Sequence, residues 1–319
     1  RQRQMCIRDR VTLEREILTD FGVQFNLSYR RYDNSRWTLK YFPDTGIVQN
    51  QGWYISAGTP PANIPGDDAP ESTGEASQHE WYYQSEEATA YSPYTWVQKT
   101  PDFYQDFWGV DLIFNKRLSN KWMLNGSFTW QKQTAHYGDE GYMDPTNLWA
   151  FEGKPYAIYM GGASGKINQY IYSRWMFKVG GLYQLPYDVN VSFNFMAREG
   201  WILRERFQYI DYTLPNPKSR SAWLYMYPFG SYRLPTFLNL TLRLEKMLRI
   251  GETGRVYLMG DIFNALNSSI MNRRYQRDWG NYYNYTDQSQ NYWRANPDFF
   301  AANEILNPLV VRLGVRFTF

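Results

Sequence analysis

Residues 309–319 read LVVRLGVRFTF, and this closing stretch decides the fold class. Every second side chain is apolar, whereas the positions between them include Arg312, Gly314 and Arg316. The apolar set is Leu309, Val311, Leu313, Val315, Phe317 and Phe319. Successive side chains of a strand point to opposite faces, so one face of this strand suits hydrocarbon and the other suits water. This alternation is typical of a membrane β-barrel strand.

The same period of two recurs along the chain and predicts about nine strands, each near the ~10 residues that a tilted transmembrane strand needs. The predicted strands cover residues 11–17, 21–32, 106–118, 121–134, 171–185, 189–198, 237–250, 255–263 and 309–319. The last of these is expected to pair with 255–263. Repetition of one two-faced pattern indicates a single sheet with a continuous apolar face.

The connections between the predicted strands alternate between short and long. Short turns fall at 18–20, 119–120, 186–188 and 251–254, and long stretches at 33–105, 135–170, 199–236 and 264–306. This alternation predicts an all-β fold: part of an antiparallel up-and-down transmembrane β-barrel with short periplasmic turns and long extracellular loops. Aromatic side chains at predicted strand ends fit the girdles of such a barrel. They are Trp108, Trp130 and Trp201 at the outer rim and Trp122 and Phe319 at the periplasmic rim.

Composition restricts the class of protein without deciding it. Aromatic residues make up 19% of the chain, the mean hydropathy is −0.61, and no apolar run approaches the ~18 residues of a transmembrane helix. A soluble or surface β-protein that binds or hydrolyses carbohydrate has a similar composition, and it stands as the alternative. The two hypotheses differ in where Leu240, Leu242, Leu313 and Val315 point: outward in a membrane barrel, or into an enclosed core in a soluble protein.

Charge and cysteine content mark residues 1–10 as a separate segment. The net charge is +3, and RQRQMCIRDR contributes all of it, so the remainder is neutral and does not indicate nucleic-acid binding. This decapeptide has no strand or helix periodicity and resembles a translated adaptor. We interpret 1–10 as a non-native segment and 11–319 as the C-terminal part of a barrel. The single cysteine, Cys6, lies in the segment, so a disulfide framework is excluded.

Residues with catalytic or metal-binding chemistry are sparse, so no enzyme activity, cofactor or metal is predicted. His79 and His136 fall in predicted loops without ligand spacing. Two acidic groups in predicted loops lack a 12-residue calcium-loop pattern. They are Asp67, Asp68 and Glu71, and Asp139, Glu140 and Asp144. On the polar strand faces, Asp111, Glu245 and Asp261 are expected to pair with Arg243, Arg249 and Arg255 across strands.

The long loops are rich in tyrosine and tryptophan, which stack on sugar rings or pack against peptide ligands. Candidate ligand contacts are Trp81, Tyr82, Tyr94, Trp223, Tyr225, Trp279, Tyr282 and Tyr283. The alternative is that these side chains pack the loops against one another, since loops of this length must bury apolar surface to be ordered. Residues 37–42 and 91–97 are expected to extend strands or form hairpins above the membrane.

Two internal stretches carry a family resemblance. Residues 107–131 (FWGVDLIFNKRLSNKWMLNGSFTWQ) and 240–267 (LTLRLEKMLRIGETGRVYLMGDIFNALN) are similar to the C-terminal part of TonB-dependent receptors, in the subset with a carboxypeptidase-like N-terminal extension. The resemblance covers about residues 11–319. It implies an outer-membrane receptor that takes up an oligosaccharide, a peptide or a metal chelate.

The resemblance also implies partners and a missing region. The family's barrel has about 22 strands around a plug, so this chain would supply roughly the last nine and would not transport alone. The expected partners are outer-membrane lipid of a Gram-negative-type bacterium, a surface lipoprotein, the TonB system through the missing N-terminal part, and the barrel-insertion machinery. That machinery would read Leu313, Val315, Phe317 and Phe319 as the assembly signal.

Overall fold

The structure is a computed structural model of the chain. It describes residues 5–33, 37–62, 74–90, 94–99, 104–136, 146, 148–151, 173–200, 206–216, 220–228, 231, 233–269, 271–274, 278–284, 292–295 and 302–319.

Strands dominate the described residues. In chain order they are β1 Met5–Leu18, β2 Phe21–Asp33, β3 Trp37–Phe42, β4 Ile47–Val48, β5 Tyr54–Ser56, β6 Tyr82–Gln84, β7 Thr95–Lys99, β8 Tyr104–Ser119, β9 Trp122–His136, β10 Trp175–Leu185, β11 Val189–Arg198, β12 Arg206–Asp211, β13 Ser221–Tyr225, β14 Phe237–Ile250, β15 Gly254–Phe263, β16 Met271–Arg274, β17 Asp278–Asn284, β18 Tyr292–Ala295, β19 Ala302–Ile305 and β20 Val310–Thr318. The helices are short: α1 Glu86–Ala90, α2 Leu148–Phe151, and 3₁₀ turns at Gln51–Trp53 and Gly74–Gln78. No helix in these ranges is long and apolar enough to cross a membrane.

Nine long strands form one antiparallel sheet in the order β1-β2-β8-β9-β10-β11-β14-β15-β20. These are the nine strands that the period of two predicts, in the predicted order, so the predicted all-β class is confirmed. Strand β20 pairs with β15 from Arg255 opposite Thr318 to Phe263 opposite Val310, as expected. Because each of these nine strands pairs with the next of the nine along the chain, the sheet is an up-and-down meander.

Residues 5–10 differ from the sequence-based expectation. They continue β1, with Arg8 opposite Arg30 and Asp9 opposite Tyr29. Backbone pairing requires only a partner strand, so these residues pair with β2 although their side chains do not alternate. The boundary proposed at residue 11 is therefore not an end of the strand, whereas the non-native origin of 1–10 stays a prediction.

The four short turns that connect neighbouring strands lie where the sequence predicts them. Asn120 and Lys121 have φ of 51° and 71°, and Tyr187 and Asp188 have φ of 64° and 58°. Two consecutive residues with positive φ match the right-handed twist of paired strands, which is why such turns close tight hairpins. The remaining connections are long and all leave the sheet at its opposite end.

The sheet has one apolar face, and in the described part of the chain this face is not packed against a core. Strand register aligns Leu13, Phe25, Leu112, Phe128 and Phe177 in a single row across five strands. Leu13, Leu313 and Val315 are 64%, 84% and 54% exposed, whereas Leu240 and Leu242 are partly buried. Burial in an enclosed core, which the soluble alternative required, is therefore not observed.

The long connections form smaller sheets above the long-loop end, and we call this region the cap. Strands β13-β12-β17-β18 form a four-stranded sheet in which β12 and β17 run parallel. Smaller sheets are β4-β3-β7, β5-β6 and β16-β19. Residues 37–42 form β3, which pairs antiparallel with β7 in the cap. The main buried apolar cluster of the described residues lies in the cap, not beside the nine-stranded sheet.

Candidate functional site

The cap is built around aromatic side chains from separate connections. Trp81 is 1% exposed and comes from the connection between β2 and β8, whereas Phe207 is 0% exposed and comes from that between β11 and β14. The Trp81 ring meets the edge of Tyr209 at 5.2 Å between centroids. The buried cluster comprises Ala76, Trp81, Phe207, Tyr209, Leu224 and Met226. Burial of this apolar surface offsets the entropy of ordering long loops.

A buried asparagine joins the same two connections through polar contacts. The Nδ2 atom of Asn216 donates hydrogen bonds to the carbonyl oxygens of Gln84 at 2.7 Å and Ser85 at 3.1 Å. It also lies 3.2 Å from Thr89 Oγ1. Asn216 is 2% exposed, so these carbonyl groups have little access to water. An amide is suited to this position because one nitrogen supplies two donors.

The other two long connections also reach the cap. Thr146, between β9 and β10, accepts a hydrogen bond from the Tyr82 backbone N–H at 3.0 Å. His79 stacks on Trp149 with ring centroids 4.1 Å apart. Between β15 and β20, β17 pairs with β12, where Tyr282 lies opposite Tyr209. All four long connections therefore contribute to one continuous set of contacts.

A partly buried ion cluster, in which only Arg174 is half-exposed, lies where β10, β11 and β14 enter the cap. The Glu199 carboxylate accepts hydrogen bonds from Arg174 through Nη2 at 2.5 Å and the backbone N–H at 2.7 Å. Arg233 Nη1 lies 3.1 Å from Glu199 Oε2, the oxygen that also accepts the Arg174 backbone N–H. The Glu199 and Arg233 side chains are 10% and 13% exposed. A Cβ on the neighbouring Gly200 would lie 1.7 Å from the Leu234 carbonyl oxygen, so the two chain segments pack backbone to backbone.

The charge state of Glu199 follows from this environment. Burial favours the neutral acid and by itself would raise the pKa of Glu199, but hydrogen bonds from Arg174 and the charges of Arg233 and Arg174 outweigh burial. The net result is a pKa below the ordinary glutamate value. Glu199 therefore stays ionised at neutral pH and holds two arginines at the base of the cap.

The predicted ligand-contact residues fall into three groups. Trp81 and Tyr225 are buried, at 1% and 7% exposure, and pack the loops together, which is the alternative that the sequence left open. Tyr82 and Trp223 are half-buried, and Arg206 lies 4.2 Å over the Trp223 ring. Tyr94 is 44% exposed. Trp279, Tyr282 and Tyr283 lie in β17, and their side chains are outside the described part.

The predicted contact Tyr94 forms an exposed aromatic pair with Trp96, which sequence reasoning did not single out. Trp96, 58% exposed, packs edge-on against Tyr94 at 5.4 Å, and Lys40 Nζ lies 4.8 Å from the Tyr94 ring centroid. The stretch 81–96 contains both a fully buried and a highly exposed tryptophan. Trp96 lies in β7, which pairs with the distant strand β3. The local sequence of 81–96 therefore does not show which of the two tryptophans is exposed.

The acidic positions that the sequence analysis weighed as calcium ligands, namely 67, 68, 71, 139, 140 and 144, lie outside the described residues, as does the predicted girdle residue at 201. His136 is the last residue of β9, so its predicted loop position is wrong, because β9 extends beyond its apolar stretch. Among the described residues, no group of three or more His, Cys, Asp or Glu side chains is close enough to hold a metal ion.

The polar face of the sheet carries an ion-pair network across β14, β15 and β20. Asp261 accepts from Arg243 Nε at 2.5 Å and from Arg312 Nη2 at 2.7 Å. The predicted pairing with Arg243 is confirmed, but Arg312 supplies the second cation in place of Arg249 or Arg255. Glu245 lies 3.9 Å from Arg316, and Asp111 accepts a hydrogen bond from Thr129 at 2.8 Å, so neither pairs with its predicted arginine. Asp111 and Asp261 have their partners on neighbouring strands, whereas Glu245 on β14 lies near Arg316 two strands away and accepts a hydrogen bond from Asn190 of the neighbouring β11 at 3.5 Å.

Strand β20 is the last strand of the sheet, and the predicted assembly signal lies on its apolar face. Leu313, Val315 and Phe317 alternate there, with exposures of 84%, 54% and 64%. Phe319 follows the strand and is fully exposed. The strand pairs on one side only within the described sheet.

Comparison with known proteins gives similarity at the level of structure alone. No family model matches the sequence, and no curated protein sequence matches it significantly. The chain is similar to the ferripyoverdine receptor of the outer membrane of Pseudomonas aeruginosa, with 9% identity, a TM-score of 0.43, and coverage of 97% of this chain and 26% of that one. It is also similar to the outer membrane transporter YddB from Escherichia coli, with 10% identity, a TM-score of 0.42, and coverage of 97% and 32%. The chain thus spans about a quarter to a third of the length of these proteins.

Proposed function

We propose that the nine-stranded sheet is part of the wall of an outer-membrane receptor barrel that takes up a bulky nutrient. The observation that carries this proposal is the two-faced sheet, with an apolar face that is unpacked in the described residues and a polar opposite face. A transmembrane barrel exposes apolar side chains to lipid and polar side chains to its lumen. In this arrangement the apolar face contacts outer-membrane lipid, the short turns face the periplasm and the cap lies outside the cell.

The proposal includes the family to which the sequence bears a resemblance, the TonB-dependent receptors. Uptake would then require parts of the receptor that lie outside these residues, so the chain alone would not transport. The class of ligand is an oligosaccharide, a peptide or a metal chelate. The barrel-insertion machinery, the TonB system and a surface lipoprotein are the proposed protein partners.

Within the cap, Tyr94 and Trp96 are the proposed ligand contacts. Among the described cap aromatics their rings are the most exposed, with Tyr212 next at 38%, whereas Trp81 and Tyr225 are buried in its core. Trp96 is the more open of the two rings, because Tyr94 also packs against Phe42. Lys40 places a positive charge beside this pair.

The test uses the full-length protein in its native host. Cysteine is introduced at Trp96 in the cap or at Tyr187 in a short turn, in a background from which all other cysteines have been removed. Intact cells are treated with a membrane-impermeant maleimide. We expect the protein in the outer-membrane fraction, with labelling at position 96 and none at 187 until the membrane is disrupted. Recovery in a soluble fraction, or labelling of both positions in intact cells, would contradict the proposal.

A further inference from the structure

A groove of about 500 Å³ crosses the apolar face of the sheet over β14, β15 and β20. Its walls are the exposed side chains of Leu244, Leu258, Leu313 and Val315. Its floor is the backbone at Gly260, which lies between Leu244 of β14 and Leu313 of β20. Among the described residues, a Cβ added at Gly260 would meet only Leu313 Cδ2, at 3.8 Å. The groove therefore exists because one position of this face has no side chain.

A lysine closes one end of the groove. Lys246 lies in the row next to Gly260, opposite Leu258 on one side and Val189, the first residue of β11, on the other. Its ammonium group donates a hydrogen bond to the backbone carbonyl of Tyr187, in the short turn between β10 and β11. It forms no ion pair with any of the described residues. Because an ammonium group has three donors, Lys246 keeps two of them for an anion.

The charged side chains of the apolar face are distributed unevenly along the described strands. Those near the short turns are all basic, whereas both signs occur near the cap. They are Arg15, Lys116 and Lys246 near the turns, and Asp9, Arg31, Asp106 and Lys132 near the cap. Of the three basic residues near the turns, only Lys246 lines the groove. Basic side chains at the edge of an apolar face attract anionic lipid headgroups.

We propose that the groove binds an anionic phospholipid of the periplasmic leaflet, with an acyl chain over Gly260 and the phosphate group at Lys246. The inference rests on the proposed function, because it takes the short turns as periplasmic. Lys246 then lies at the level of the headgroups, as does the 87% exposed ring of Tyr187, an aromatic type enriched at membrane interfaces. From there the groove extends towards the middle of the sheet, which is the direction of an acyl chain. A zwitterionic lipid fits the same groove, but its own ammonium group opposes Lys246.

The test measures the affinity of the tightest-bound lipid on the full-length protein in detergent by native mass spectrometry. The probes are dioleoyl phosphatidylglycerol, which is anionic, and dioleoyl phosphatidylethanolamine, which has the same chains and no net charge. We expect the anionic lipid to bind roughly fivefold more tightly, the effect of one basic residue at a membrane surface. Lys246→Gln should abolish this preference, and Lys246→Arg should retain it. Gly260→Phe, which fills the groove, should weaken the binding of both lipids by roughly tenfold, the loss of burial of about two methylene groups.

Two variants of the same face are matched controls. Lys132→Gln removes a basic residue near the cap, and Val11→Phe adds a ring at an exposed position outside the groove. Both should bind the two lipids like the wild type. Equal affinity of the wild type for both lipids, a preference that persists in Lys246→Gln, unchanged binding in Gly260→Phe, or an equal effect of either control would overturn the site. The maleimide experiment tests the proposed function separately, because a protein labelled as expected but without lipid preference contradicts the lipid site alone.

Discussion

Replacing Asn216 tests whether the cap is held together as the contacts imply. Asn216→Ala removes the donor shared by the carbonyl oxygens of Gln84 and Ser85. A hydrogen bond lost at a site this poorly accessible to water costs about 1–3 kcal/mol, so the loss of both predicts about 2–4 kcal/mol after partial rehydration. Asn216→Asp keeps the shape but places a carboxylate against two carbonyl oxygens, so its effect is expected to be at least as large.

The assay is amide hydrogen exchange of the full-length protein in detergent. A loss of about 2–4 kcal/mol corresponds to exchange that is roughly 30- to 700-fold faster. The acceleration is expected in residues 81–90 and 206–216, with no change in β14 and β15. Asn115→Ala, at an exposed asparagine of β8, is the matched control. Unchanged exchange in 81–90, or a variant Asn216→Asp that behaves like the wild type, would refute the reasoning.

Three other predictions follow from single residues. Because the pKa of Glu199 is lowered, its cluster stabilises the cap fully above the ordinary glutamate pKa and loses this contribution as the pH falls through the lowered value. Glu199→Gln should therefore remove the acid dependence of hydrogen exchange in the cap. If the dependence persists in this variant, another group causes it. Gly200→Ala, which brings a methyl against the Leu234 carbonyl, should destabilise the cap by about 1–3 kcal/mol, measured by the same exchange, whereas equal stability would place that backbone contact in doubt. Leu313→Lys on the apolar face should make insertion into lipid vesicles less favourable by up to about 2–4 kcal/mol, whereas Thr318→Lys on the polar face should not. Equal effects of the two variants would contradict the assignment of faces.

The sheet could be predicted from the sequence because its signal is local. Alternation along a strand such as 237–250 fixes which side chains share a face, and turn residues such as Asp188 fix where the strand reverses. Residues 5–10 escaped prediction because Arg8 and Arg10 do not alternate with apolar residues, and only pairing with β2 reveals the strand.

The cap could not be predicted in the same way, because its contacts join distant parts of the chain. The burial of Trp81 depends on Phe207 and Tyr209, and the carbonyl groups of Gln84 and Ser85 depend on Asn216. Tyr94 and Tyr225 have the same composition-based signal, although one is exposed and the other buried. Similarly, Asn125 and Asn194 converge on Gly180 through the register between three strands, since neither asparagine is adjacent to the glycine in sequence.

The central claim is that one face of the sheet contacts lipid and the other contacts water. Spin labels are placed one at a time along β14 of the cysteine-free full-length protein, reconstituted in bilayers. Their collision with oxygen and with a water-soluble nickel chelate measures this directly. The account predicts alternation with a period of two, with oxygen access at Leu240 and Leu242 and nickel access at Thr241 and Arg243. Equal access at neighbouring positions, or protection of Leu240 and Leu242 from both reagents as in a closed core, would contradict it.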